Sequence, residues 1–233
     1  TSAGLDRVPL DYCKAHGITV YNAGGVYSAP MAEFVLGGIL QLYKESKFFA
    51  ENQVAHRWEK HRGLRELSGK TACIIGTGSV GSAIARRLRA FDVQTVGINR
   101  SGHPAAEFDQ TQPTCRLDNL LPLADLVICA MPLTAETAGL FDSARIAKIK
   151  PGAVFVNVAR GKVIDQQALV EALQSRQLSG AVLDVFEEEP LPRSSPLWDM
   201  EQVILTPHNS FVGEHNGERL FRLICKNLES FAQ

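Results

Sequence analysis

The stretch that decides the fold is "IIGTGSVG", residues 74–81. It has the pattern G-x-G-x-x-G, whose glycines are Gly76, Gly78 and Gly81. Where this pattern joins a strand to a helix, the first glycine permits the tight turn and the second lets a ligand approach the backbone, while the third lets the helix lie close to the strand. An apolar run precedes the stretch and a helical pattern follows it. The sequence therefore predicts a dinucleotide-binding turn, with a pyrophosphate bound by the amides of Ser79 and Val80. The alternative is a glycine-rich turn without a ligand.

Short apolar runs alternate with helical segments along the rest of the chain. The runs lie at 71–76, 93–98, 125–130, 153–158, 180–185 and 202–207. They are almost continuously apolar, which is typical of strands that are covered on both faces. Between them, one helix has Val80, Ile84, Leu88 and Phe91 on one face, and another begins after Asp165 as its N-cap. This alternation predicts an α/β fold with a doubly wound parallel sheet.

Two further helices are predicted outside this alternating region. Residues 29–52 form a long helical stretch with Ser28 as a candidate N-cap and Pro30 in the first turn. One face of this helix is rich in Leu, Ile, Val and Phe, which indicates that it is buried between lobes or in a subunit interface. The alternative is that it is an ordinary core helix. Residues 214–232 are predicted to form an amphipathic helix.

Composition excludes several classes of function. The 233 residues are 45% hydrophobic and carry a net charge of −1 with scattered basic residues, so neither a nucleic-acid nor a membrane partner is expected. The five cysteines are dispersed and have no zinc-type spacing. We therefore expect no metal site, and reduced thiols in a cytoplasmic protein.

The residues after the second predicted strand bear on the choice of dinucleotide. About 20 residues after the glycine turn, an acid would bind the ribose hydroxyls of NAD, but the chain has Asn99, Arg100 and Ser101 there. The acid that would repel a 2′-phosphate is missing, and an arginine and a hydroxyl that suit a phosphate are present. This favours NADP(H), while Asn99 leaves NAD(H) possible. The alternative is that Arg100 only points into solvent.

Three charged residues follow predicted strands, at the edge of the sheet where ligands bind. Arg160 follows "VFVNVA", Glu189 ends "LDVFEEE", and His208 follows "VILTP". Singly, each is more often a solvated rim residue or a structural histidine. Together they suit the reduction of a 2-oxoacid, because a histidine supported by a carboxylate can donate a proton and an arginine can hold the substrate carboxylate.

Ordered motifs run nearly from end to end of the chain. They are "AGLDRVPLDYCKAHGITVYNAGG", "SAPMAE", "GTGSVG", "MPLTAET", "FVNVARG", "LDVFEEEPLP", "PLW" and "TPHNS". With these motifs the chain resembles the D-isomer-specific 2-hydroxyacid dehydrogenase family, which includes glyoxylate/hydroxypyruvate reductases and phosphoglycerate dehydrogenase. The resemblance implies an oxidoreductase that transfers a hydride between NAD(P)H and a small 2-oxoacid or D-2-hydroxyacid. It also implies a homodimer formed through the 29–52 helix.

The resemblance implies a role for each matching residue. Arg160 of "NVARG" matches the substrate-binding arginine, and His208 of "TPH" matches the catalytic acid/base. Glu189, directly before proline in "EEEPL", matches the carboxylate that pairs with this histidine. Asp184 of "LDVF" matches the aspartate that binds the nicotinamide carboxamide. Relatives of the formate dehydrogenase branch carry Gln where Glu189 stands, so that branch is disfavoured.

The beginning of the chain departs from the family pattern. Family members carry a further block before "SAGLD" that forms most of the substrate-binding domain, and we expect it to be absent here. Residues 1–27 and 211–233 are then the remaining parts of a flavodoxin-like substrate-binding domain, and residues 28–210 form the dinucleotide-binding domain. In the first part, Ala3 and Gly4 match the loop whose amides hold the substrate carboxylate.

Two alternatives to an active enzyme stay open. One is a dinucleotide-sensing interaction protein that resembles the corepressor relatives of the family, since a fold does not determine a function. The other is a truncated homologue that binds the cofactor without turnover. The identity of the 2-oxoacid is also open, because the wall that would select it belongs to the block expected to be absent.

Overall fold

The computed structural model describes residues 4–5 and 8–231, in which seven strands form one sheet. The strands are β1 (Thr71–Ile75), β2 (Gln94–Asn99), β3 (Gln110–Pro113), β4 (Leu126–Cys129), β5 (Ala153–Asn157), β6 (Leu178–Leu183) and β7 (Val203–Leu205). Their order is β3-β2-β1-β4-β5-β6-β7, and every neighbouring pair is parallel. This is the order of a doubly wound dinucleotide-binding sheet, so the predicted fold class is confirmed.

Helices lie on both faces of this sheet. On one face are residues of α2 (Ser28–Tyr43) and α4 (Ser79–Arg89), and on the other those of α7 (Gln166–Gln174). The other helices are α1 (Leu10–Ala15), α3 (Ser46–Val54), α5 (Leu117–Leu120), α6 (Ser143–Ile146) and α8 (Asn216–Phe231). Short 3-10 turns occupy Thr114–Arg116, Leu121–Leu123, Gly161–Val163 and Pro196–Asp199. The predicted N-cap of α7 is confirmed, because the Asp165 carboxylate accepts a hydrogen bond of 3.0 Å from the Ala168 amide.

The central strands are apolar throughout because both of their faces are buried. Consecutive side chains of β1 point to opposite faces. On one face, Ile74 belongs to a buried cluster with Ile39 of α2 and Leu88 of α4. On the other face, Cys73 belongs to a second cluster that includes Leu169 of α7. Burial raises the pKa of Cys73 to about 12, so its thiol is packed core and not a nucleophile.

The prediction of one continuous helix over residues 29–52 is wrong, because two helices occupy this region. The helix ends at Tyr43 and a second begins at Ser46, with Glu45 between them in the left-handed region at a φ of 51°. The expected cap is also wrong, because Ser28 is the first residue of α2 and its buried Oγ has no hydrogen-bond partner within the described part of the chain. Pro30 does lie in the first turn. Within this chain α2 is a core helix, since Ile39 in its middle is fully buried.

Two of the face residues predicted for the helix after the glycine turn are fully buried. Ile84 and Leu88 of α4 lie in the core. Phe91 falls beyond the end of α4 and is 40% exposed, so its placement on the same helical face as Ile84 and Leu88 is wrong.

The last helix, α8, confirms the prediction of a helix at the end of the chain. Its Arg219 Nε donates a hydrogen bond of 2.7 Å to the Val26 carbonyl, which joins α8 to the segment before α2. Phe221 and Leu228 are 67% and 63% exposed, so α8 also presents apolar side chains on the surface. The division into residues 28–210 and two flanking parts stays a prediction. No helix within the described residues is both long and apolar enough to span a membrane.

Candidate active site

The glycine turn between β1 and α4 has the shape that a bound dinucleotide needs. Gly76 has a φ of 108°, and a Cβ there would lie 2.6 Å from the Ala130 carbonyl oxygen. At Gly81 a Cβ would lie 1.8 Å from the Gly76 carbonyl oxygen, which brings the helix close to the strand. Gly78 is different, because a Cβ added there would meet no atom within 4 Å. The space beside Gly78 is therefore open to a ligand, as the pattern predicts.

The first turn of α4 supplies donors to that space. Gly78 is the N-cap residue, and its carbonyl accepts the first helical hydrogen bond, of 2.8 Å, from the Ser82 amide. The amides of Ser79 and Val80 stand at the first two helical positions, where no acceptor exists within the helix. Together with the helix dipole, these amides suit the negative charge of a pyrophosphate.

Asn99, at the end of β2, ties the next loop to the glycine turn. Its Nδ2 donates to Thr77 Oγ1 at 3.2 Å and to the His103 carbonyl at 2.8 Å, and its Oδ1 accepts from the His103 amide at 3.0 Å. Both amide hydrogens are used, while Oδ1 keeps the capacity to accept one further bond. The sequence predicted a ligand-facing role for Asn99 but did not predict this structural one.

Arg100 and Ser101 follow Asn99 and are exposed. The Arg100 side chain is 87% exposed, and its Nη2 lies 4.0 Å from Oε2 of Glu136. An ion pair at this distance and exposure contributes little to stability. The guanidinium therefore remains able to bind an anion that approaches the end of β2.

Asp184, at the end of β6, holds the loop that carries His208. Its side chain is buried, and Oδ1 accepts hydrogen bonds from Thr206 Oγ1 at 2.6 Å and from the Asn209 amide at 2.7 Å. Oδ2 accepts from the Ser210 amide at 3.0 Å, and the Asp184 carbonyl accepts from the His208 amide at 2.8 Å. The sequence signal for this arrangement is "TPHNS", residues 206–210, which follows a strand and has three small polar residues, but Asp184 stands more than 20 positions earlier in the chain.

His208 and Glu189, which the sequence analysis assigns to one site, are in hydrogen-bonding contact. Nδ1 of His208 lies 2.9 Å from Oε2 of Glu189, and Oε1 of Glu189 accepts a hydrogen bond of 3.1 Å from the Phe186 amide. His208 has a φ of 52°, a conformation held by the surrounding hydrogen bonds. With Nδ1 facing the carboxylate, Nε2 is the ring nitrogen that can exchange a proton with another group.

Arg160 lies in the loop after β5, close to the segment that leads to Glu189. It is half-buried, its Nη1 donates to the Ala159 carbonyl at 2.7 Å, and its own carbonyl accepts from Asn157 Nδ2 at 3.0 Å. A Cβ at the next residue, Gly161, would lie 1.8 Å from the backbone of Phe186, so the two loops pack directly on each other. Arg160 and the His208–Glu189 pair thus belong to adjoining loops at one edge of the sheet.

Two predicted residues belong to the beginning of the chain. Ala3 lies outside the described residues, and Gly4 is described as half-buried. Among the described residues no cluster of three or more histidine, cysteine or acidic side chains could hold a metal ion.

Comparison with known proteins identifies relatives of this chain. A family model described as D-isomer specific 2-hydroxyacid dehydrogenase, NAD binding domain, matches residues 36–210. The chain is 36% identical to a glyoxylate reductase of Thermofilum pendens over 234 aligned positions, which cover 97% of this chain and 69% of that protein. Among solved structures it is similar to phosphoglycerate dehydrogenase from Lactobacillus plantarum, with a TM-score of 0.78, 34% identity, and coverage of 99% of this chain and 75% of that one.

A third relative contains a bound cofactor. It is a D-isomer specific 2-hydroxyacid dehydrogenase from Xanthobacter autotrophicus Py2 in complex with NADPH and MES. Its TM-score is 0.78 at 33% identity, with coverage of 88% of this chain and 84% of that one.

Proposed function

The chain belongs to the D-isomer specific 2-hydroxyacid dehydrogenase family, and from this premise we propose that it reduces a small 2-oxoacid to the D-2-hydroxyacid, with NADPH preferred over NADH. The observation that carries the proposal is the contact of 2.9 Å between His208 Nδ1 and Glu189 Oε2. A histidine held in this way can pass a proton to a carbonyl oxygen near neutral pH. The relatives named above are enzymes, and none of them supports the corepressor-like alternative.

Each polar residue of the site has a part in this chemistry. The nicotinamide, when bound, supplies the reducing equivalents. His208 Nε2 donates the proton that the substrate oxygen needs, and Glu189 stabilises the charged imidazolium before that transfer. Arg160 binds the substrate carboxylate with its planar fork of donors and polarises the carbonyl. The amides of Ala3 and Gly4 stay a prediction as a second support for the same carboxylate.

The residues around the glycine turn would hold the cofactor. Ser79 and Val80 would donate their amides to the pyrophosphate beside Gly78. Arg100 and Ser101 would bind the 2′-phosphate, which favours NADPH. The spare capacity of Asn99 Oδ1 would let a free ribose hydroxyl bind, which leaves NADH usable. The NADPH bound to the Xanthobacter relative supports this preference.

The contacts of Asp184 indicate a role in positioning the loop that carries His208. Three hydrogen bonds from residues 206–210 converge on its carboxylate. We infer that any contact between Asp184 and the nicotinamide carboxamide is secondary to positioning the His208 loop. A homodimer through α2, a cytoplasmic location and the division into two domains stay predictions.

The proposal is tested with the purified protein, NADPH or NADH, and a panel that includes glyoxylate, hydroxypyruvate and pyruvate. We expect oxidation of the reduced nicotinamide with at least one 2-oxoacid, and about tenfold or more preference for NADPH, the effect of one charge-assisted bond. The Arg100→Ala variant should lose most of this preference. Faster oxidation of NADH would overturn the cofactor assignment alone. Binding of NADPH without turnover of any 2-oxoacid would overturn the reductase activity.

A further inference from the structure

A second charged group faces Arg100 across the end of β1. Glu136 lies in the loop after β4, and β1 is the strand between β2 and β4 in the sheet. The loops after β2 and β4 therefore meet above the glycine turn. There, Oε2 of Glu136 lies 4.0 Å from Nη2 of Arg100.

The Glu136 carboxylate is held in place by its own loop. Thr134 Oγ1 donates a hydrogen bond of 2.7 Å to Glu136 Oε2, and the Thr134 amide donates one of 2.7 Å to Thr137 Oγ1. The hydrogen bond from Thr134 lowers the pKa of Glu136, as do a hydrogen bond from its own backbone amide and, as the smallest contribution, the positive charge of Arg100. The group is thus a fixed negative charge at neutral pH beside the arginine that would bind a phosphate.

The negative charge of Glu136 contributes little to folding stability but would affect the binding of a charged ligand. The side chains of Arg100 and Glu136 are 87% and 70% exposed, and ion pairs at such sites contribute almost nothing to folding. A 2′-phosphate on Arg100 would lie within a few ångströms of the Glu136 carboxylate. This separation is shorter than the screening length of about 8 Å at physiological salt, so the repulsion between the two negative charges is not fully screened. A ribose hydroxyl carries no charge and would meet no such repulsion.

We propose that Glu136 is a cofactor-specificity residue whose carboxylate competes with the 2′-phosphate for Arg100 and so moderates the preference for NADPH over NADH. This inference rests on the proposed function, because it assumes a dinucleotide at the glycine turn. It assigns to the loop after β4 a part in cofactor choice, in addition to the part of residues 99–101.

The test measures binding, not turnover. Isothermal titration with NADP⁺ and with NAD⁺ is carried out on the wild-type protein, Glu136→Gln, Arg100→Ala and the control Glu66→Gln. Glutamine keeps an oxygen for the Thr134 hydroxyl, and Glu66→Gln removes an equal charge from another exposed residue. We expect Glu136→Gln to bind NADP⁺ about threefold to tenfold more tightly and NAD⁺ within twofold of wild type. The gain should shrink at 1 M salt, where the screening length falls to about 3 Å.

The outcomes separate this inference from the proposal beneath it. An unchanged NADP⁺ affinity in Glu136→Gln, or an equal gain for both cofactors, overturns the role of Glu136 alone. The same gain in Glu66→Gln overturns it as well, because the effect would then be one of net charge. A wild-type protein that binds neither cofactor overturns the proposed function together with this inference.

Discussion

Two substitutions in the glycine turn should separate folding from cofactor binding. At Gly78 the backbone is extended, with a φ of −73°, and an added Cβ would meet open space. Alanine is a poorer N-cap than glycine by a few tenths to about 1 kcal/mol, and it gains about 0.4–1 kcal/mol by restricting the unfolded chain. These effects offset each other, so Gly78→Ala should leave the free energy of unfolding within about 0.5 kcal/mol of wild type.

Gly76→Ala should instead destabilise the fold. Its φ of 108° is unfavourable for alanine, and its Cβ would stand 2.6 Å from the carbonyl oxygen and 2.8 Å from the carbonyl carbon of Ala130. The strained backbone costs about 1–3 kcal/mol and the overpacking about 1–3 kcal/mol. A loss near 3 kcal/mol lowers the Tm by about 6–12 °C in a chain of this size.

For cofactor affinity, Gly78→Ala should have the clear effect that it lacks on stability. The Cβ of Gly78→Ala occupies the space through which the pyrophosphate approaches, so we expect NADPH to bind at least about tenfold more weakly, a loss of about 1.4 kcal/mol. Urea unfolding of the cofactor-free protein gives the stability, and isothermal titration at a temperature where each variant is folded gives the affinity. A wild-type Kd in Gly78→Ala, or wild-type stability in Gly76→Ala, would refute the reasoning.

Two further predictions concern acidic residues and the groups that they bind. Glu189→Gln removes the charge from the contact with His208, and the loss of about 1.5–3 kcal/mol should lower kcat/KM about tenfold to a hundredfold. The neighbouring exposed Glu188→Gln is the control, and an equal loss there would contradict the assigned role. Although burial raises the pKa of Asp125, hydrogen bonds from Lys150 at 2.7 Å and from the β1 backbone outweigh it, so the net pKa is lowered. The stability from this group is therefore present above the unfolded-state pKa of about 3.9 and lost as the pH falls through the lower folded value. Asp125→Asn should cost about 1–2 kcal/mol at pH 7, with the difference closing in acid; a difference in unfolding free energy that is independent of pH would contradict this assignment.

The strands were the most predictable part of this fold. Six of the seven were identified, and no boundary differs from the prediction by more than two residues, because strands buried on both faces must be apolar throughout. The missed strand, β3, is "QTQP" at the edge of the sheet, where exposure removes the apolar signal. The break between α2 and α3 was missed for a different reason. Glu45 adopts a left-handed conformation that glutamate rarely takes, and nothing in "YKESK" indicates it.

The candidate site was predictable where a residue lies in the loop that follows a strand. Parallel strands end at one edge of the sheet, so Arg160, Glu189 and His208 were expected together, and the last two are in contact. The supporting bonds were not predictable. Asp184 binds groups more than 20 positions later in the chain, and Asn99 binds Thr77 across the glycine turn. Such contacts depend on how two loops pack, which periodicity and spacing do not encode.

The strand order determines how far apart the residues near Arg100 and the residues near His208 lie, and therefore whether substitutions in the two places affect each other. Arg100 follows β2 near one end of the sheet, while His208 follows β7 at the other, five strand spacings away. At about 4.8 Å per spacing this is roughly 24 Å, well beyond the range of about 10 Å over which substitutions interact energetically. With the roles proposed for Arg100 and His208, substitutions at one end of the sheet should alter the preference for NADPH or NADH without disturbing proton transfer at the other end. On this proposal, cofactor preference and proton transfer can evolve independently, because the strand order keeps their residues far apart.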